Sequence, residues 1–335
     1  MLKRIKFPIR FKILIALLLI ITTAVGIITF TMAKMFHADK SAYVHDLTSE
    51  MAMHTAAETR ALMVGYRERL QVFSRLLFEK NFAPEQKSRL LKELFEDFQE
   101  FVAITLYVDG TELTTVYDAR TLETAGIKKE ALSAYFKKHP IPIHRVAKGS
   151  VYTANSTITG KLPTFTLAIS HQLPDSESSK AVVAAVIRLE GLQRLSQRSK
   201  VFTTFIVDHK GEPLAHSNLN QVIKHRPVGW VAEIKGLEKK KIHGSTHEFV
   251  QKEHEMVGGL ATIGISDIFA GVQIPKAAAY LTARELLNNL IGVALILLVG
   301  SAIIGLFGSR LLTRPVEQLS KATKIVAKGR FDVQV

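Results

Sequence analysis

Two uncharged, strongly apolar stretches bracket most of this chain. Ile13 to Ala33 gives 21 residues without a charge, and Leu286 to Ser309 gives 24. A helix rising about 1.5 Å per residue needs roughly 20 such residues to cross a hydrocarbon core about 30 Å thick. Both stretches meet that requirement, so each reads as a transmembrane helix. The residues between them, 34–285, carry ordinary charge and turn residues and suffice for one or two globular domains. A short basic segment follows the second stretch.

The location of the charge decides what it means. A formal net charge of +14 on one face of a domain would point to nucleic acid. Here the first 12 residues hold Lys3, Arg4, Lys6, Arg10 and Lys12 with no acid. Past the second stretch, Arg310, Arg314, Lys321, Lys324, Lys328 and Arg330 stand against Glu317 and Asp332. Most of the excess thus flanks the apolar stretches, where the positive-inside rule puts cytoplasmic residues. The expectation is a bacterial inner-membrane protein with two spans, both termini cytoplasmic and residues 34–285 periplasmic. The lipid bilayer is then a partner and nucleic acid is not. The first stretch is longer than the apolar part of a cleaved signal peptide, and Thr31-Met32-Ala33 matches a cleavage site poorly, so it reads as a retained anchor. The chain has no cysteine, which excludes disulfides, iron–sulfur ligation and thiol nucleophiles.

Lys34 to Lys80 contains one glycine, Gly65, and no proline. It is rich in good helix formers, with Leu62, Tyr66, Leu70, Phe73 and Leu77 at helical spacing. One long helix is expected to continue from the first span, with a second over Glu85–Phe98. The period then changes. Phe101–Val108 and Thr111–Tyr117 read as strands joined at Asp109-Gly110, a strong hairpin signal. A helix near Lys128–Lys138 ends at His139-Pro140. Val151–Thr159, Thr164–Leu173 and Ala181–Leu189 are three further strands, with an exposed polar loop over Pro174–Lys180. Gly191–Arg198 reads as a linking helix. A second strand set follows: Phe202–Asp208, Glu212–Ser217, Glu248–Val250, Met256–Gly264 and Ile268–Ile274. Pro275 suits the first turn of a helix entering the second span.

Three features together resemble the double Cache receptors. They are the long helix after the first span, Phe205-Ile-Val-Asp-His-Lys-Gly-Glu-Pro-Leu-Ala-His-Ser217, and Val257-Gly-Gly-Leu-Ala-Thr-Ile-Gly-Ile265 followed by Ala270-Gly-Val-Gln-Ile-Pro-Lys276. The similarity covers roughly residues 34–285. It implies an α+β fold of two PAS-like modules on one amino-terminal helix, the membrane-distal module over 34–190 and the membrane-proximal one over 191–285. It also implies a small-molecule ligand in the distal module. There, polar or aromatic side chains on otherwise apolar strands are the candidate ligand contacts: Tyr107, Tyr117, Asp118, Tyr152, Thr153 and Asn155, with Arg120 nearby. An Asp among Tyr side chains suits an amine, and Arg suits a carboxylate. Tyr152 and Thr153 face opposite sides of a regular strand, so at most one of them lines a pocket. The only tryptophan, Trp230, lies in the proximal module, unlike the tryptophan-and-arginine pattern of amino-acid-binding members.

Arg314-Pro-Val-Glu-Gln-Leu319 resembles the start of a HAMP domain, and 310–335 is read as its first helix. Leu312, Val316, Leu319, Thr323 and Val326 recur at spacings of four and three, the seam of a parallel coiled coil, and Gly329 is placed to end that helix. With Pro315 and Glu317 these residues form the expected signal relay, and the resemblance implies a homodimer. The second HAMP helix and any output domain do not follow within these 335 residues. The expectation is therefore a piece of a longer receptor, or a receptor that signals to a separate cytoplasmic partner.

Catalytic chemistry finds no constellation in the sequence. There is no phosphate loop, GxSxG elbow or HExxH helix, and no cofactor or catalytic residue is expected. The 12 histidines all fall between the spans. His243, His247 and His254 have metal-like spacing, but the glycine and hydroxyl residues among them argue against a helix, so no metal site is expected. Two alternatives to a ligand-sensing receptor stay open: a scaffold that binds nothing small, and the sensor part of a membrane-anchored signalling enzyme.

Overall fold

The structure, a computed structural model, describes residues 9–79, 82–172, 180–234, 236–237, 241–279, 288–289, 291–304, 307 and 323. Helix α1 runs Ile9–Phe78, as the unbroken run of helix formers predicts. Residues 44–278 form one compact unit, and 1–43 with 279–335 form another. Among the described residues no helix is long and apolar enough to cross a membrane; several side chains of 13–33 are outside that set. Residues 291–304 are helical. Of the expected relay, Leu312, Pro315, Val316, Glu317, Leu319 and Val326 lie outside the described residues, and Thr323 is helical and exposed.

The larger unit contains two five-stranded antiparallel sheets. The first is built from β1 (Phe101–Val108), β2 (Thr111–Tyr117), β3 (Tyr152–Asn155), β4 (Thr164–Gln172) and β5 (Lys180–Arg188). The second is built from β6 (Thr203–Asp208), β7 (Pro213–His216), β8 (Ser245–Gln251), β9 (His254–Thr262) and β10 (Ile268–Pro275). The spatial orders are β2-β1-β5-β4-β3 and β7-β6-β10-β9-β8. The second order is the first repeated, so the unit is a structural duplication. In each sheet the connection between the second and third strands carries the short helices. These are α3 (Ala119–Ala125), α4 (Lys129–Lys138) and α5 (Ile143–Ala147) in the first module, and α7 (Leu219–Ile223) and α8 (Gly229–Ala232) in the second. Helix α2 (Pro84–Asp97) precedes β1, α6 (Glu190–Ser196) links the modules, and α9 (Lys276–Ala279) follows β10.

Strand alternation gives each sheet two faces. On one, Leu167, Val183, Ala185 and Ile187 of the first sheet and Ile206, Ala261, Ala270 and Val272 of the second join a single core with α1. Helix α1 contributes Ala52, Ala56, Met63, Tyr66, Leu70 and Phe73 at intervals of three, four or seven, a stripe on one helix face. Burying each of the larger side chains contributes about 1.5–3 kcal/mol, so the stripe strings both modules on one helix.

Local details follow from turn and ladder chemistry. Asp109 and Gly110 both have positive φ, 49° and 88°, the geometry a two-residue hairpin demands and aspartate and glycine tolerate. Strand β3 is shorter than the expected Val151–Thr159, because the Thr157 hydroxyl donates to the Thr164 carbonyl and accepts from the Thr164 amide. Pro275 closes β10 rather than opening a helix. It pairs with Met256 on β9, whereas the β6 pairing ends at Gln273, so its missing N–H interrupts no ladder on that side.

The modules meet at the end of β3. Asn155 is 5% exposed. Its Nδ2 donates to the carbonyls of Pro213 (2.9 Å) and Val222 (3.0 Å), and its Oδ1 accepts from the Thr157 amide (2.9 Å). The Tyr135 hydroxyl donates to the Asn155 carbonyl at 2.9 Å. Arg145 and Asp267 also bridge the modules, at 2.8 Å, but are exposed, and such pairs contribute about 0–1 kcal/mol. The buried amide is the stronger fastening.

Candidate functional site

The other face of the first sheet is covered by α3, α4 and α5. Leu122, Leu132, Leu162 and Val186 fill one part of the space, and Ile141, Val146, Ala168 and Val182 another. Between these clusters a pocket of about 200 Å³ remains, floored by Ala103, Thr105 and Tyr107 of β1 and Thr115 and Tyr117 of β2 and roofed by α4 and residues 140–143. Its charged lining is Glu112 and Lys137.

Glu112 is there because of a bulge. The β1–β2 register slips between Leu106 and Tyr107, so Leu106 faces Thr114 but Tyr107 faces Glu112. Directly paired residues share a sheet face, which turns Glu112 to the same side as Tyr107 while the extra residue, Leu113, is exposed. The Thr115 hydroxyl lies 2.6 Å from Glu112 Oε1 and 3.0 Å from Thr105 Oγ1. Burial, reinforced by Glu112, pushes the Tyr107 phenol up to about 12. Burial also raises Tyr117, again with a contribution from Glu112. Both phenols are therefore neutral at physiological pH, each able to donate and accept one hydrogen bond. One carboxylate, one ammonium and two phenols around a small half-apolar space can hold a compact polar solute by both ends.

Tyr117, Asp118 and Arg120 also line a larger open cleft of about 890 Å³ between α2, β2 and α3. The Asp118 carboxylate is engaged there as the N-cap of α3, with Oδ1 accepting from the Arg120 amide at 3.1 Å and Oδ2 from the Thr121 hydroxyl. The Lys129 ammonium lies 5.4 Å from the centre of the Tyr117 ring. Of the other candidates, Tyr152 shares the pocket's sheet face but packs beside Ile141, Val146 and Ala168. Burial and, secondarily, Glu212 raise its phenol. Thr153 pairs with Leu167 and so faces the α1 side. Asn155 fastens the two modules, as described above. The sequence reading thus brings Tyr107 and Tyr117 to one pocket and passes over Glu112, Lys137, Thr105 and Thr115. Regular alternation from Tyr117 puts Glu112 on the opposite face; only the bulge reverses this.

The equivalent face of the second sheet is filled. Phe205, Val207, Leu260, Phe269, Trp230 and Val231 form its cluster. Trp230 stacks on Phe249 with ring centres 4.9 Å apart, and its indole N–H donates to Gln273 Oε1 at 3.0 Å. A Cβ on Gly258 would lie 2.7 Å from Trp230 and 2.9 Å from Phe249, so only glycine admits both rings. His247 lies on β8 and His254 opens β9, with His243 just before them. Among the described residues no group of three or more His, Cys, Asp or Glu side chains gathers for a metal ion.

Neither a protein family nor a curated protein sequence matches the chain. Solved structures do. The chain is similar to the extracellular domain of soHK1S-Z6, described as a histidine kinase, at 12% identity and a TM-score of 0.50, over 73% of this chain and 99% of that one. It is also similar to the ligand-binding domain of the Pseudomonas fluorescens chemoreceptor CtaA in complex with L-isoleucine, at 16% identity and a TM-score of 0.49, covering 76% and 99%. A third is the ligand-binding domain of the Pseudomonas aeruginosa PAO1 chemoreceptor PctB with L-Arg, at 18% identity and 0.47, covering 71% and 97%. The first of these likenesses shows that the chain shares the fold of that extracellular domain.

Proposed function

We propose that this chain is a membrane-spanning sensory receptor for a small extracytoplasmic solute. Ile13–Ala33 and Leu286–Ser309 anchor it in the bacterial inner membrane, and both termini are cytoplasmic. The solute binds in the first module between Tyr107, Tyr117, Glu112 and Lys137. Binding biases packing within a homodimer, and the segment after β10 carries the change through the second span. The helix holding Leu312, Val316, Leu319, Thr323 and Val326 relays it to a cytoplasmic output domain or partner. A ligand whose affinity differs between two states by about 1–3 kcal/mol shifts that equilibrium roughly 5- to 150-fold. The chain performs no catalysis of its own and carries no cofactor.

One observation carries this reading. Of two duplicated sheet faces, one is closed by a tryptophan-centred core and the other retains a polar-lined pocket. A scaffold that binds nothing has no use for a partly buried pair of phenols facing an open space beside a carboxylate and an ammonium, since unfilled space costs stability.

A thermal-shift screen of the purified full chain against amino acids, amines and small organic acids tests it. A ligand at 100 times its dissociation constant adds about 2.7 kcal/mol of stability. The expected hit disappears in Glu112→Gln or Lys137→Gln. A hit indifferent to both changes discards the pocket, and silence across the library supports the scaffold. Protease protection in oriented vesicles tests the topology; residues 34–285 on the cytoplasmic side would refute the receptor reading.

A further inference from the structure

The 890 Å³ cleft beside the pocket has a different chemistry. Lys92 of α2, Arg120 of α3, Lys129 of α4, Lys161 in the turn before β4 and Arg188 at the end of β5 all line it. Five separate elements thus converge cationic side chains on one concavity. Lys92, Arg120, Lys129 and Lys161 make no ion pair among the described residues. Two carboxylates, Asp118 and Glu96, also line the cleft and offset part of this charge; Asp118 caps α3.

Arg188 is partly committed: its Nη2 bonds Glu190 and its Nε is buried, so it adds charge to the cleft wall rather than a free donor. A cleft whose lining carries five cationic side chains against two carboxylates concentrates anionic solutes. Leu91, Phe95, Val116 and Leu162 provide apolar surface in the same cleft, which suits a carbon skeleton and serves no purpose for a bare inorganic anion.

We infer that this cleft is a second binding site, separate from the sheet-face pocket, for a small organic polyanion carrying two or more carboxylates. The guanidinium of Arg120 offers a planar fork matched to carboxylate, while the lysines and Arg188 meet the remaining charge. Tyr117 lines both cavities, so an anion in the cleft stands one side chain away from a solute in the pocket and acts on its binding.

Isothermal titration of the full chain with citrate, at ionic strength held constant with sodium chloride, tests the assignment. The expected result is citrate binding that weakens about tenfold or more in the double variant Arg120→Gln/Lys161→Gln and is unchanged in Lys137→Gln. The reciprocal variant Glu96→Gln, which removes the opposing carboxylate, is expected to tighten it. Inorganic phosphate is expected to bind more weakly than citrate. The assignment is overturned if wild type shows no citrate binding in the millimolar range, or if both cleft variants bind citrate as wild type does. Loss of citrate binding in Lys137→Gln would move the anion to the pocket, and phosphate binding as tightly as citrate would remove the carboxylate assignment. A receptor lacking this site still responds through the pocket, so the two readings fail separately.

Discussion

Replacing Asn155 by Ala should loosen the junction between the modules, and the structure sets the scale. Three hydrogen bonds of 2.9–3.0 Å are lost at a buried position. They are not equivalent. The Val222 carbonyl keeps the His225 amide at 3.1 Å, so its loss is partial. The Thr157 amide loses the acceptor Asn155 provides, and the Pro213 carbonyl loses its donor across the junction. At about 1–3 kcal/mol for each of these two buried groups left unsatisfied, the total is about 2–6 kcal/mol. For a unit of this size that lowers the unfolding midpoint by roughly 4–24 °C. Trp230 fluorescence follows the second module and circular dichroism follows both, so the two probes should also separate where in wild type they coincide. Asn155→Asp is a sharper version. A carboxylate facing two carbonyl oxygens has its pKa raised, so the variant regains stability as pH falls through that value and the protonated acid donates again. A loss under about 1 kcal/mol for Asn155→Ala, or an Asp variant no better at low pH, would refute the reasoning.

Other predictions follow from the same contacts. Gly258→Ala pushes a methyl group into the stacked Trp230 and Phe249 rings, and should cost about 1–3 kcal/mol in urea unfolding; a neutral effect would mean the rings are not fixed there. His225 Nδ1 lies 2.7 Å from Glu212 Oε1 and its Nε2 lies 3.1 Å from the Thr157 carbonyl, so both ring nitrogens must donate. The Glu212 bond chiefly raises its pKa. A raised folded pKa gives stability that is fully present below the ordinary value of 6.5 and is lost as pH rises through the folded value. The stability gap between wild type and His225→Gln should therefore be widest in mild acid and close with rising pH. Burial lowers His171 and His216, which act in the opposite sense but are common to both proteins. A gap that widened with pH would contradict the assignment.

Much of the fold was legible because its signals are local. The run of helix formers from Lys34, the Asp109-Gly110 turn and the apolar strands each declare an element without tertiary help. Elements that depend on partners were less legible. The early end of β3 at Asn155 follows from hydrogen bonds between Thr157 and Thr164, and the strand role of Pro275 follows from where β6 stops. The candidate site divides the same way. Tyr107 and Tyr117 stand out as polar aromatic residues on apolar strands. Glu112 does not, because a one-residue bulge reverses its face, and Lys137 lies on a helix whose docking the sequence leaves open. Asn155 and Thr153 drew attention as polar residues in a strand, but one binds the neighbouring module and the other turns toward α1.

The central claim is that the first module's outer face receives a solute while the second module's equivalent face is closed. Hydrogen–deuterium exchange of the full chain, with and without a ligand found by thermal shift, tests it most directly. The account predicts slowed exchange in β2 and α4, around Glu112 and Lys137, with no direct protection of α8 and β8 around Trp230. Protection centred on Trp230 and Phe249, with β2 and α4 unchanged, would contradict it.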